Sequence, residues 1–176
     1  MVRLGLSLGY NLCHKCNIFG ENYSNMVINW YCKAFNELSL NELYEILALR
    51  TEVFIVEQDC PFQDQDGEKD FKSLHLFGKN TDNKIVAYSR LVPSGLAFSE
   101  ASIGRVINAP KYRKLGIGRE LMKKSIEKLY QHFGKVNIRI GAQYYLKAFY
   151  ESFDFQIDGN LYLEDGIEHI EMIKLA

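Results

Sequence analysis

Gly116 and Gly118 stand two residues apart in "KYRKLGIGREL" (residues 111–121), behind Lys111, Arg113 and Lys114 and at the head of an amphipathic repeat. A glycine inside a helix costs about 1 kcal/mol relative to alanine, so a pair at this point predicts something that approaches the backbone closely. The first N–H groups of a helix lack partners, and the helix dipole places about half a positive charge there. With no Cβ in the way, an anion can rest on those amides, and phosphates often do. The spacing therefore predicts a pyrophosphate lying against the turn at Gly116 and Gly118, with the side chains of Arg113 and Lys114 adding charge. Two glycines alone fit a plain turn equally well. A P-loop is excluded because no Lys-Ser/Thr follows the second glycine, and the dinucleotide fingerprint lacks its third glycine.

Other residues of chemical interest are weaker. Asp59, Asp64, Asp66, Glu68 and Asp70 crowd the turn-rich stretch "DCPFQDQDGEKDF" (residues 59–71). Counted from Asp64, the sixth position is Lys69, so the pattern fails as an EF-hand. The stretch is expected to be a solvated acidic loop that attracts a cationic amine. Cys13 and Cys16 flank His14, but no second pair completes a zinc site, and no metal is expected. Four cysteines in 176 residues do not make a disulfide scaffold, which fits a reduced cytoplasm.

The chain has a net charge of −1, with 47% hydrophobic and 24% charged residues. That balance excludes a global basic field for nucleic acid, and no apolar run reaches the roughly 18 residues of a membrane span. One domain is expected over residues 26–176. Residues 1–25 show no clear period and are taken as an extension outside it, with Met26 as an alternative start. Strands are predicted over 27–35, 72–79, 84–92, 101–110 and 135–142, with a final strand pair turning at Asp165-Gly166. A helix over 40–50 carries a Ser39/Glu42 capping box, and a short helical piece follows over 51–58. The longest helix is predicted over 114–133 and another over 143–153. This order makes an α/β mixed sheet of about seven strands with helices on both faces.

At this level of detail a resemblance can be stated. "RKLGIG" after a strand and before a long helix resembles the Arg/Gln-x-x-Gly-x-Gly/Ala motif of the GNAT N-acetyltransferases. "LRTEVFIVEQDCPFQDQDG", "IGRVINAPKYRKLGIGRELM", "GAQYYLKAFYESFDF" and "EDGIEHIEM" resemble, in order, four blocks of the ElaA-like branch. Asp154 departs from the family's glycine. The resemblance implies a sheet in which strands 102–107 and 136–141 splay to hold acetyl-CoA, the co-substrate. Its pyrophosphate would lie on the backbone of Arg113, Lys114, Gly116, Ile117 and Gly118, its pantetheine arm would pair with backbone near Val106 and Ile107, and one of those amides would serve the oxyanion. Arg105 is expected to point to the opposite face. The implied reaction is transfer of acetyl to an amine of a small molecule or peptide. Tyr150 is the expected general acid, with Tyr144 and Tyr145 as fallbacks; Glu57 or His169 is the candidate base, with His75 a third option. Two rivals stand beside this reading: a non-catalytic acyl-CoA-binding domain, and an acyl-homoserine-lactone synthase, because "RTEVFIVEQ" resembles the opening of such enzymes. A homodimer is left open, and the acceptor has no readable code.

Overall fold

The computed structural model describes residues 27–176; the Cys13/Cys16 pair and the expected extension lie outside them. Strands β1 (Asn29–Ala34), β2 (Leu74–Lys79), β3 (Ile85–Val92), β4 (Ala101–Asn108), β5 (Ile138–Gln143), β6 (Gln156–Glu164) and β7 (Ile167–Lys174) form one seven-stranded sheet. Their order is β1-β2-β3-β4-β5-β7-β6. Every neighbouring pair is antiparallel except β4 and β5. No helix among the described residues is long and apolar enough to cross a membrane.

Side chains of a strand alternate between faces, and here the alternation feeds two cores. Leu76 of β2 joins a cluster with α3 (Ile117–Phe133), whereas its neighbour Phe77 packs with Ile46 and Leu49 of α1 (Leu40–Arg50). Helices therefore cover both faces, as expected. α1 starts on the predicted capping box: the Glu42 N–H donates to Ser39 Oγ at 3.2 Å, and the Ser39 N–H donates to Glu42 Oε2 at 3.0 Å. Its end differs from expectation. The separate helical piece is instead a π-helical turn, Thr51–Glu57, that continues α1 without a break. Within the stretch expected to be loop, Gly67–Lys72 forms a short helix, α2.

α3 begins at Ile117 rather than 114, because Gly116 adopts φ +82° and acts as the N-cap. Its buried face, Leu121, Met122, Ser125 and Leu129, lies on the sheet, where Ser125 Oγ meets Ser89 Oγ at 2.8 Å. The helix predicted over 143–153 is shorter: β5 runs to Gln143, one 3₁₀ turn follows, and α4 spans Lys147–Glu151. Asp154, which stands where the family has glycine, takes φ +66°. Left-handed backbone suits glycine best and aspartate better than most other residues. Its contact with Lys174 Nζ, 3.1 Å, is made by a side chain 89% exposed and so contributes little. Asp154→Gly is expected to stabilise the protein by up to about 1 kcal/mol, read as a higher urea midpoint at unchanged m-value.

The feature that shapes the site lies in β4. Its register with β3 shifts between Tyr88 and Arg90, and Arg105 takes φ +54°. This is a β-bulge, which bends and twists its strand. On the other side of β4, pairing with β5 occurs at Ala101–Ile138 and Ser102–Arg139 and then stops, although the strands continue to Asn108 and Gln143. The two strands splay where the family resemblance implies it.

Candidate active site

Beyond Ser102 the β5-facing edge of β4 has no ladder partner. Backbone N–H and C=O groups left this way require another partner. A cleft lined by Val106, Ile107, Asn108, Arg113, Gly118 and Tyr150 opens there. Four of these belong to the predicted set of cofactor contacts, and Tyr150 is the predicted acid. Ile117 is buried, so only its backbone is available to a ligand. Lys114 is exposed and left-handed at φ +62°.

A Cβ built on Gly116 meets nothing within 4 Å, so the space above the turn is open; at Gly118 it would stand 3.2 Å from the Asn108 side-chain amide. With that amide oriented to suit its neighbours, Asn108 Oδ1 accepts the Gly118 N–H at 2.8 Å and Nδ2 donates to Ile107 O at 3.0 Å. One amide predicted to lie bare for an anion is thus capped by a side chain that sequence reasoning missed. Arg113 also has a partner: Nη1 and Nη2 donate to the two carboxylate oxygens of Glu57 at 2.6 and 2.7 Å. This bidentate guanidinium holds the Glu57 carboxyl below its usual range, which makes a poor proton acceptor of it.

A second cavity, of about 240 Å³, adjoins the cleft; Val106, Leu146 and Tyr150 line both. Tyr150 is 7% exposed. Burial, with a smaller contribution from Tyr145, raises its phenol above the ordinary value, so it stays protonated at neutral pH. His169 lines the same cavity, and its Nδ1 lies 2.9 Å from Ile167 O. A carbonyl only accepts, so Nδ1 carries the hydrogen and the neutral ring keeps its lone pair on Nε2. The ring stacks on Tyr162, centroids 5.7 Å apart. Tyr162 in turn requires Gly141: a Cβ there would stand 2.8 Å from the Tyr162 hydroxyl.

Of the remaining candidates, His75 belongs to the core. Its Nδ1 contacts Tyr88 Oη and its Nε2 contacts Asp70 O, each at 2.9 Å. Tyr145 is 72% exposed and donates to Gln143 Oε1. Tyr162 and Glu164, both in the cavity wall, were not singled out in the sequence. Their period-2 spacing in a predicted strand already put them on one face.

The solvated acidic loop is a misreading that the structure corrects. Asp64 and Asp70 are buried. Arg50 Nε donates to Asp64 Oδ2 at 2.7 Å, and Arg50 Nη1 donates to Asp70 Oδ1 at 2.8 Å. Arg90 Nη1 reaches both Asp66 Oδ1, at 2.6 Å, and Asp70 Oδ1, at 2.7 Å. Arg105 Nε donates to Asp64 Oδ1 at 2.8 Å. These carboxylates pin residues 64–70 to the sheet and leave little field for a cation. Arg105 faces this network and the cavity, not the opposite side, because the bulge reorients it.

Known proteins share this architecture. Residues 52–176 match the model of the Acetyltransferase (GNAT) domain. A UPF0039 protein of Synechocystis sp. is 42% identical over 148 residues, covering 84% of this chain and 96% of that protein. Protein ElaA of Escherichia coli is 39% identical over 84% of this chain and 97% of its own. Its crystal structure superposes with a TM-score of 0.78, covering 84% of this chain and 99% of that one. An acyl-CoA N-acyltransferase from Pseudomonas aeruginosa gives a TM-score of 0.80 at 36% identity, covering 84% and 99% of the two chains.

Proposed function

This chain belongs to the GNAT acetyltransferase family, in the branch that contains ElaA, and from that premise we propose that it moves acetyl from acetyl-CoA directly to a primary amine. The observation that carries this reading is the position of Tyr150 between two adjoining spaces: one runs along the open edge of β4 and suits the pantetheine arm, and the other suits the acceptor. The acceptor cavity is smaller than the roughly 300–1,000 Å³ of clefts that take drug-sized ligands, so a small molecule or a peptide end fits.

Each residue then has a task. His169 Nε2 takes the proton of the incoming ammonium, so that its nitrogen lone pair can attack the thioester carbonyl carbon. The N–H of Val106 or Ile107 steadies the oxygen that gains charge. As the carbon–sulfur bond breaks, Tyr150 gives its phenolic proton to the departing sulfur, and the nitrogen, which sheds a second proton in becoming an amide, returns one to the phenolate. The burial that raises the phenol raises a neighbouring thiol too, so the two stay matched. Glu57, engaged by Arg113, holds that guanidinium beside the turn rather than acting as the base. Residues Arg113 to Gly118 receive the pyrophosphate.

Gly116→Asp tests the turn. Aspartate tolerates φ > 0 and is favoured at a helix N-terminus, so folding should persist. Its side chain would nonetheless fill the open space and repel a diphosphate. Acetyl-CoA affinity measured by calorimetry is expected to drop about ten-fold or more at unchanged circular dichroism; full affinity would overturn the assignment.

A further inference from the structure

The second cavity, the one that holds His169, is charged unevenly. Lys69 of α2, Arg90 of β3 and Arg105 of β4 line it on one side of the sheet order, and Glu164 of β6 and His169 of β7 line it on the other, with β5 between. On the cationic side, Arg50, Arg90, Arg105 and Lys69 stand against the three carboxylates of Asp64, Asp66 and Asp70. One positive charge is therefore in excess.

The donors there are also incompletely used. Arg90 is 3% exposed, yet its Nε has no hydrogen-bond partner among the described residues. A buried donor left unpaired costs about 1–3 kcal/mol, but this one has no accessible surface; the donors a ligand can reach are those of Arg105, 26% exposed, and Lys69, 42% exposed. The Arg105 guanidinium lies over Phe54 and Phe62, 5.5 and 5.8 Å from their centroids. Those rings and the Nε bond to Asp64 fix its orientation. Lys69 Nζ is only loosely held, 4.0 Å from Asp66 Oδ2.

We infer that the acceptor carries a carboxylate beside its amine: Arg105 and Lys69 hold the carboxylate, with the charge of Arg90 behind them, while the amine turns toward His169 and Glu164. A planar guanidinium matches a carboxylate well, and a single surplus charge suits one carboxylate better than a dianionic phosphate. The acceptor class is then a free amino acid rather than a polyamine or a lysine side chain within a protein. This inference rests on the acetyl-transfer reading above.

The test compares matched pairs: each of the common amino acids against the amine left by its decarboxylation, with acetyl-CoA as donor and CoA thiol release as readout. The carboxylate-bearing member of at least one pair is expected to show a kcat/KM at least about ten-fold higher. Lys69→Gln should shrink that ratio about three-fold, and Lys69→Arg should restore it. Turnover of decarboxylated amines equal to or above that of amino acids would overturn this inference and leave acetyl transfer standing. A ratio unmoved by Lys69→Gln would also overturn it. Thiol release from neither series would overturn acetyl transfer, and the inference with it.

Discussion

Tyr150→Phe is expected to lower kcat about 100-fold or more and to leave the KM for acetyl-CoA within about two-fold. Removing one hydroxyl leaves the ring, and with it the edge contacts to Phe149 and Phe155 at 5.1 and 6.1 Å. Packing in the cleft wall is preserved while the proton donor is lost. The split between kcat and KM is what separates a proton donor from a core residue: a structural tyrosine would move stability or binding and spare the chemical step. A thioester whose leaving thiol is unusually acidic should recover part of the lost rate, because it needs less help from a donor.

Asp70→Ala is expected to cost about 3–5 kcal/mol of stability, enough to unfold a marginal domain at 37 °C. Asp70 Oδ1 accepts from both Arg50 and Arg90, and truncation takes one carboxylate from each of two guanidiniums that are 1% and 4% exposed, leaving Arg50 on Asp64 and Arg90 on Asp66 with a buried positive charge uncompensated. Glu68→Ala, two residues away, removes only an exposed i,i+4 pair with Lys72 and should leave the unfolding temperature nearly unchanged. Thermal unfolding of the two variants side by side isolates the buried pair. The wild type carries the same dependence on pH. Burial pushes the Asp70 carboxyl up, but the two arginines outweigh it and hold it below its ordinary value. A depressed folded-state pKa gives stability that is complete above the unfolded value, about pH 4, and is lost as pH falls through the folded one. Acid unfolding should therefore begin below about pH 4, and Asp70→Ala should flatten that limb.

Much of this arrangement could be read in the residues themselves. Ser39 and Glu42 announce the start of α1, Asp165-Gly166 the last hairpin, and Gly116 and Gly118 the turn before α3. In each case a local rule of backbone geometry acts with no help from distant parts. The acidic stretch misled for the opposite reason. Asp64, Asp66 and Asp70 find Arg50, Arg90 and Arg105 only through tertiary packing, and a carboxylate carries no mark of whether water or arginine will meet it. Arg105 is the sharpest case. Nothing in an arginine between Gly104 and Val106 predicts a left-handed backbone, yet that conformation bends β4 and turns the side chain into the cavity. Asn108 was overlooked in the same way, because its capping role depends on where the end of β4 lies relative to α3. Tyr162 and Glu164 share a strand face that the period of two makes visible, but that this face closes the second cavity is not.

The short stretch of pairing between β4 and β5 has a mechanical consequence. With only Ala101–Ile138 and Ser102–Arg139 as rungs, the ladder does little to fix how far the strands stand apart at their open ends. That gauge is set from beneath, by one apolar stratum in which Leu121, Met122 and Leu129 of α3 meet Ile103 on one bank and Ile140 and Met172 on the other. Interiors packed to crystal density transmit the loss or gain of a single methylene. The width of the opening is thus governed largely by residues that do not line it, Leu121, Met122 and Ile140 among them, and a change of side-chain volume in that layer would resize the mouth while the lining residues stayed the same.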